Sequence, residues 1–159
     1  MNKTSRIFAS VFAALALVAG ISLAYINQTD FTTISGEQYK HSDLSDKIVI
    51  VNYFAEWCAP CLREIPELNT FYKQKPSNVA LFGVSYDNLT TDQLIALKQK
   101  YDIEFDLINA INTPFVFEKP QYLPATFVIN KDGEMAGQLL GEQTAQGLLE
   151  AIQQLNQQP

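Results

Sequence analysis

The sequence predicts one α/β domain, a mixed central β-sheet with helices on both faces, preceded by one hydrophobic helix. Three observations carry this expectation. Ile48–Phe54, IVIVNYF, is near-continuously apolar and β-branched at its start, the pattern of a strand buried on both faces of a parallel sheet. A helical pattern from about Ala59 to Tyr72 separates it from a second apolar strand, Val79–Tyr86. Further on, Ala125–Asn130 and Glu134–Leu140 flank Lys131-Asp132-Gly133, a strong hairpin signal. Strand–helix alternation followed by a hairpin and a closing helix implies a mixed sheet covered by helices.

From Ile7 to Tyr25 the chain carries no charge, and its first acid is Asp30. Ile7–Ile26 is twenty residues, about 30 Å as a helix, the thickness of a bilayer core. The run has no polar face, which argues against a core helix. Lys3 and Arg6 precede it and acids dominate the chain beyond it, so the amino terminus stays cytoplasmic and the body is exported. Two outcomes stay open: a retained anchor, or a signal peptide cleaved after Ser22-Leu23-Ala24. The expected division is 1–26 as anchor or signal and 27–159 as the folded domain.

Asn27–Asp30 is a short polar tether. Phe31–Ile34 and Gln38–Lys40 flank Ser35-Gly36 as a small hairpin, and His41–Asp46 reads as a helical turn with Ser42 as cap. Thr91–Tyr101 reads as a helix capped by Thr90 or Thr91, with Asp92 in its first turn and Lys98 and Lys100 near its end. Phe105–Ile108 is a short strand, and Asn109–Gln121, with Pro114 and Pro120, is irregular. Thr144–Leu155 closes the chain as an amphipathic helix with Leu148, Leu149, Ile152 and Leu155 on one side.

Composition excludes several functions. Two of the eleven basic residues are Lys3 and Arg6, which leaves nine against seventeen acids in the body, and no Lys/Arg cluster exists to neutralise several phosphates. Nucleic acid is therefore not an expected partner. Neither GxGxxG nor GxxxxGK[ST] occurs, and no cofactor is expected. The two cysteines, Cys58 and Cys61, focus the sulfur chemistry on one spot.

Cys58 ends a buried strand and begins a helix, where unpaired N–H groups and the helix dipole stabilise a thiolate. Pro60 suits the first turn because it brings no N–H to leave unsatisfied. Positions i and i+3 lie about 5 Å apart, within disulfide reach, and the loop closed is too small to constrain the unfolded chain much. Such a bond suits making and breaking. Zinc would need two further ligands, and the sole histidine, His41, has no second His or Cys pair to join, so no metal is expected. Glu64 follows Cys61 by three residues and shares its helix face; it reads either as a functional acid or as a dipole-complementing one. Pro66 falls inside the same helix and predicts a kink.

Tyr53–Leu68, YFAEWCAPCLREIPEL, resembles the thioredoxin superfamily, and within it the extracytoplasmic TlpA/ResA/DsbE-like branch with its motif N-F-W-A-x-W-C-x-P-C-x-x-E-x-P-x-L. Tyr122-Leu123-Pro124-Ala125-Thr126-Phe127 matches the second landmark of that family. The resemblance runs from about Phe31 to the end and implies a thioredoxin-like fold. It implies Cys58 as the nucleophile, Cys61 as the resolving thiol and Glu64 as a buried acid that tunes them. Pro124 matches a cis-proline that presents substrate backbone, and Trp57 a lid and contact surface. Asn52, six residues before Cys58, stands where thioredoxins themselves carry a buried Asp; an amide cannot exchange protons, which shifts that task to Glu64. Tyr53-Phe54 replaces a common Phe-Trp, and Ala125 a frequent Thr.

The expected function is thiol–disulfide oxidoreduction outside the cytoplasm, in the periplasm or on the outer face of the membrane. By analogy with the branch it reduces disulfides in exported proteins, apocytochrome c among the options, and draws on a membrane electron donor. Alternatives are an oxidant of the same fold and a Cu(I)-binding or assembly chaperone using the thiols as ligands. A peroxidase of the peroxiredoxin kind would carry Thr or Ser where this chain has Ala55.

Overall fold

The structure, a computed structural model, describes residues 28–156, with Leu17 alone before them. The expected hydrophobic helix over 7–26 lies outside the described residues. Among the described residues no helix is long and apolar enough to cross a membrane.

The elements are β1 (Phe31–Thr33), β2 (Gln38–Tyr39), a 3-10 turn (His41–Leu44), β3 (Ile48–Phe54) and α1 (Ala59–Gln74). β4 (Val79–Ser85), α2 (Thr91–Lys100), β5 (Asp106–Ile111), β6 (Ala125–Ile129), β7 (Met135–Leu140) and α3 (Ala145–Asn156) complete the chain. One seven-stranded sheet has the order β2-β1-β5-β4-β3-β6-β7. β3, β4 and β5 are parallel, and the remaining pairings are antiparallel. The sheet is mixed, as expected.

The three α-helices cover one face of it, and the short 3-10 helix lies against the other. From β3 to β4 to β5 the chain steps to the adjacent strand twice in the same direction. Right-handed crossovers then put α1 and α2 on one face. α3 joins them: Ile65, Leu68 and Phe71 of α1, Leu94 and Leu97 of α2, and Leu148 and Ile152 of α3 share a core with Ile48, Ile50 and Phe54 of β3. Val49, Val51 and Tyr53 face the other way, onto Phe31, Phe82 and Phe127. That second face is closed by Leu44 of the 3-10 turn and by Phe115 and Phe117 of the irregular segment. Phe117 stacks on Phe127 with centroids 3.9 Å apart, so aromatic rings replace a helix there.

Three boundaries differ from the expected ones. β5 continues through Asn109–Ile111 because β1 pairs with it, Phe31 opposite Ile111 and Thr32 opposite Ala110, so the irregular segment is shorter than expected. In the 3-10 turn Ser42 is not the cap; the Lys40 N–H donates to Asp43 Oδ2 at 2.8 Å. α1 runs unbroken through Pro66 to Gln74. At α2, Thr90 is the cap, and it exchanges hydrogen bonds with Gln93 in a capping box.

Asn52 interrupts the helix-facing side of β3. In register with it lie Gly83 of β4 and Thr126 of β6. A Cβ at Gly83 would stand 2.6 Å from Leu107 Cδ2 and 2.9 Å from Phe105 Cε2, so the close packing of β5 requires glycine. This row of small and polar residues lies beneath α1, where Glu64 enters.

Candidate active site

Buried β3 delivers the chain to Cys58, the N-cap residue of α1, with φ −91° and ψ 93°. Cys58 and Cys61 are joined as a disulfide, with Cα atoms 5.3 Å apart. The Cys61 N–H donates to Cys58 Sγ at 3.3 Å, so an unpaired helix-start donor points at that sulfur. The same geometry favours a thiolate on Cys58 once the bond is reduced. Cys61 is wholly buried, whereas Cys58 keeps 5% of its surface exposed. Of the two cysteines, Cys58 alone keeps any exposed surface.

Glu64, one turn beyond Cys61, is buried. Its Oε1 accepts from Asn52 Nδ2 at 2.8 Å, and its Oε2 from the Gln143 N–H at 2.9 Å. Burial pushes its carboxyl up to about 7, against the pull of these two donors, and the nearby Glu142 adds to the rise. A carboxyl in that range is half-ionised near neutrality, suited to give or take a proton. Arg63 pairs with Glu142, so two successive residues of α1 hold two successive residues of the loop before α3.

Pro124 is buried, follows a cis peptide bond from Leu123, and immediately precedes Ala125, which pairs with Tyr53 of β3. Its carbonyl accepts from the Gly141 N–H at 3.0 Å. Trp57 is 66% exposed, and its indole N–H donates to Asp87 Oδ2 at 2.8 Å. Its ring meets Tyr86 edge-on, and Lys119 Nζ sits 3.8 Å from the centre of the Tyr86 ring.

Thus the sheet brings the residues singled out in the sequence to the end of β3 and the first turns of α1. Four partners carry no such mark in the sequence: Thr126 and Gln143 behind Glu64, and Asp87 and Lys119 around Trp57. Asp87 had a usable signal, because loops leaving the same end of adjacent parallel strands are neighbours, and Phe54 and Ser85 end β3 and β4 in register. Among the described residues no group of three or more His, Cys, Asp or Glu is arranged to hold a metal ion.

The AhpC/TSA family pattern matches residues 26–138. The chain belongs to the AhpC/TSA family. Within this thioredoxin-like family it is similar to the thiol-disulfide oxidoreductase ResA of Bacillus cereus, 30% identical over 126 residues, covering 78% of this chain and 72% of that one. It is also similar to the sporulation thiol-disulfide oxidoreductase A of Bacillus subtilis, 28% identical over 129 residues and covering 74% and 73%. The crystal structure of StoA from Bacillus subtilis superposes with a TM-score of 0.63 at 23% identity, covering 77% of this chain and 93% of that one, and shows the thioredoxin-like fold. This AhpC/TSA family member is a thiol–disulfide oxidoreductase with a Cys58–Cys61 pair.

Proposed function

We propose that the protein reduces disulfides in exported proteins, with Cys58 as nucleophile, Cys61 as resolving thiol and Glu64 as the proton-handling acid. The observation that carries this reading is the contrast within one helix turn. Cys58 keeps an exposed edge under a helix-start N–H, while Cys61 and Glu64 are buried behind it.

In the reduced protein the Cys58 thiolate attacks one sulfur of a substrate disulfide. A mixed disulfide forms and the other substrate sulfur leaves as a thiolate, which takes a proton from solvent. Cys61 gives its proton to the Glu64 carboxylate and attacks Cys58 Sγ; the second substrate sulfur leaves as a thiolate, which takes a proton from solvent, as the Cys58–Cys61 bond closes. Two electrons pass to the substrate, so a donor must restore the dithiol; a membrane electron donor fills that role. Trp57, next to Cys58 in the chain, and Pro124, which enters β6 beside the end of β3, present the substrate chain. Apocytochrome c is one exported substrate consistent with this chemistry.

Residues 7–26 serve as the membrane anchor, with Lys3 and Arg6 on the cytoplasmic side and the domain from residue 27 outside; the charge asymmetry supports this orientation. The reduction potential of the Cys58/Cys61 pair tests the direction of electron flow. A reductant is expected near or below thioredoxin's, about −270 mV, and a value near the roughly −120 mV of a strong oxidant would contradict it.

A further inference from the structure

Asn52 lies wholly buried between Glu64 and Thr126. Its Nδ2 donates to Glu64 Oε1 at 2.8 Å and to Thr126 Oγ1 at 3.0 Å. Its other end, Oδ1, is buried without a hydrogen-bond partner. A carboxamide has two ends of nearly equal size, one that donates and one that accepts. A half-turn about its last side-chain bond exchanges them.

The two oxygens of Glu64 are held differently. Oε2 faces the Gln143 N–H, a backbone donor fixed in direction. A proton on Oε2 would compete with that N–H, whose direction cannot change. A proton on Oε1 meets the amide of Asn52, which can turn. With Oδ1 brought round, the amide accepts from the Glu64 O–H and from the Thr126 hydroxyl, which is able to donate. Each orientation makes two hydrogen bonds and leaves one end of the amide unpaired. The intrinsic gap between them is therefore small, and the proton decides which is occupied.

We propose that Asn52 is a positioning residue for disulfide exchange, its side-chain amide turning over as Glu64 Oε1 gains or loses a proton. This rests on Glu64 being the proton-handling acid of the reaction. The turning amide keeps that acid hydrogen-bonded in both states, so the proton returns to the same oxygen in every cycle. No other titratable side chain of β3 or β6 intervenes: Asn52 and Thr126 are neutral. Across the loop, Glu142 opposes ionisation of Glu64 and is paired with Arg63; on α1, Glu67 is engaged by the Ala145 N–H, and Cys61, one turn before Glu64, is the neighbouring thiol in the reduced protein.

The test is NMR on the full-length, isotopically labelled, reduced protein between pH 5 and 9. Contacts between the Asn52 side-chain amide protons and the Thr126 methyl are expected at high pH. They should be lost at low pH, with the midpoint of the Glu64 carboxyl carbon. Contacts that persist while Glu64 titrates overturn the proposal. As a second arm, Asn52→Leu should slow exchange at pH 7, by less than the ~10²-fold typical of losing a general acid, and alter its pH profile. An unchanged rate and profile also overturn the proposal. In Glu64→Gln, a pH profile identical to the parent's overturns the reading of Glu64. If it does so while the Asn52 amide still follows Glu64, the turning amide has no place in the reaction.

Discussion

The Gln143 N–H donates to Glu64 Oε2 at 2.9 Å, tying the helix that starts at Cys58 to the loop leading into α3. Glu64 is thus held from two sides in a buried site, and its carboxyl is raised to about 7 by burial. An acid whose folded pKa lies above its unfolded value near 4.5 destabilises the fold when ionised. Stability should rise as pH falls through 7 and level off below about 4.5, with a full span on the order of 3 kcal/mol. Urea titrations of the oxidised protein at pH 5 and 8 check this. Glu64→Gln should remove most of the difference.

Gly83 faces the side chains of Leu107 and Phe105, both buried in the helix-side core. Neither can swing away without disturbing its neighbours. Gly83→Ala should cost about 1–3 kcal/mol through overpacking, read as a fall in the denaturation midpoint.

Asn69 of α1 bridges to the turn after α2. Its Nδ2 donates to the Asp102 carbonyl at 2.7 Å and its Oδ1 accepts from the Glu104 N–H at 2.9 Å. Asp102 has φ 51°, so the two bonds hold a left-handed residue in place. Asn69→Ala leaves both backbone groups without that partner and should cost about 1–3 kcal/mol, with faster amide exchange at Glu104.

How far each element was legible in the sequence depends on its physics. β3 could be bounded at Ile48 and Phe54 because both its faces are apolar. The end of β5 could not, because Asn109 is half-buried, Ala110 and Ile111 are exposed, and all three owe their strand geometry to pairing with β1. Placing all three helices on one face depends on strand order, which no single segment encodes. In the site, Cys58, Cys61 and Glu64 are set by spacing along one helix. Gln143 contributes only a backbone N–H, which carries no side-chain signature, and Thr126 reaches Asn52 across a strand pairing 74 residues away.

Trp57 is the protein's one tryptophan and is largely exposed, so its emission reports directly on the site. Trp57→Ala should leave stability within about 0.5 kcal/mol while raising KM for a protein disulfide more than it lowers kcat. Asp87→Ala should shift the Trp57 emission by freeing the indole N–H from its 2.8 Å bond, a change read by fluorescence.

In the proposed mechanism Cys58 attacks and Cys61 resolves. Cys58 has an exposed edge and Cys61 has none. Trapping on single-cysteine variants in the native host tests this most directly. Cys61→Ala is expected to accumulate mixed disulfides through Cys58 that dissolve on reduction, and Cys58→Ala to accumulate few or none. Equal trapping by the two variants, or none by Cys61→Ala, would contradict the mechanism.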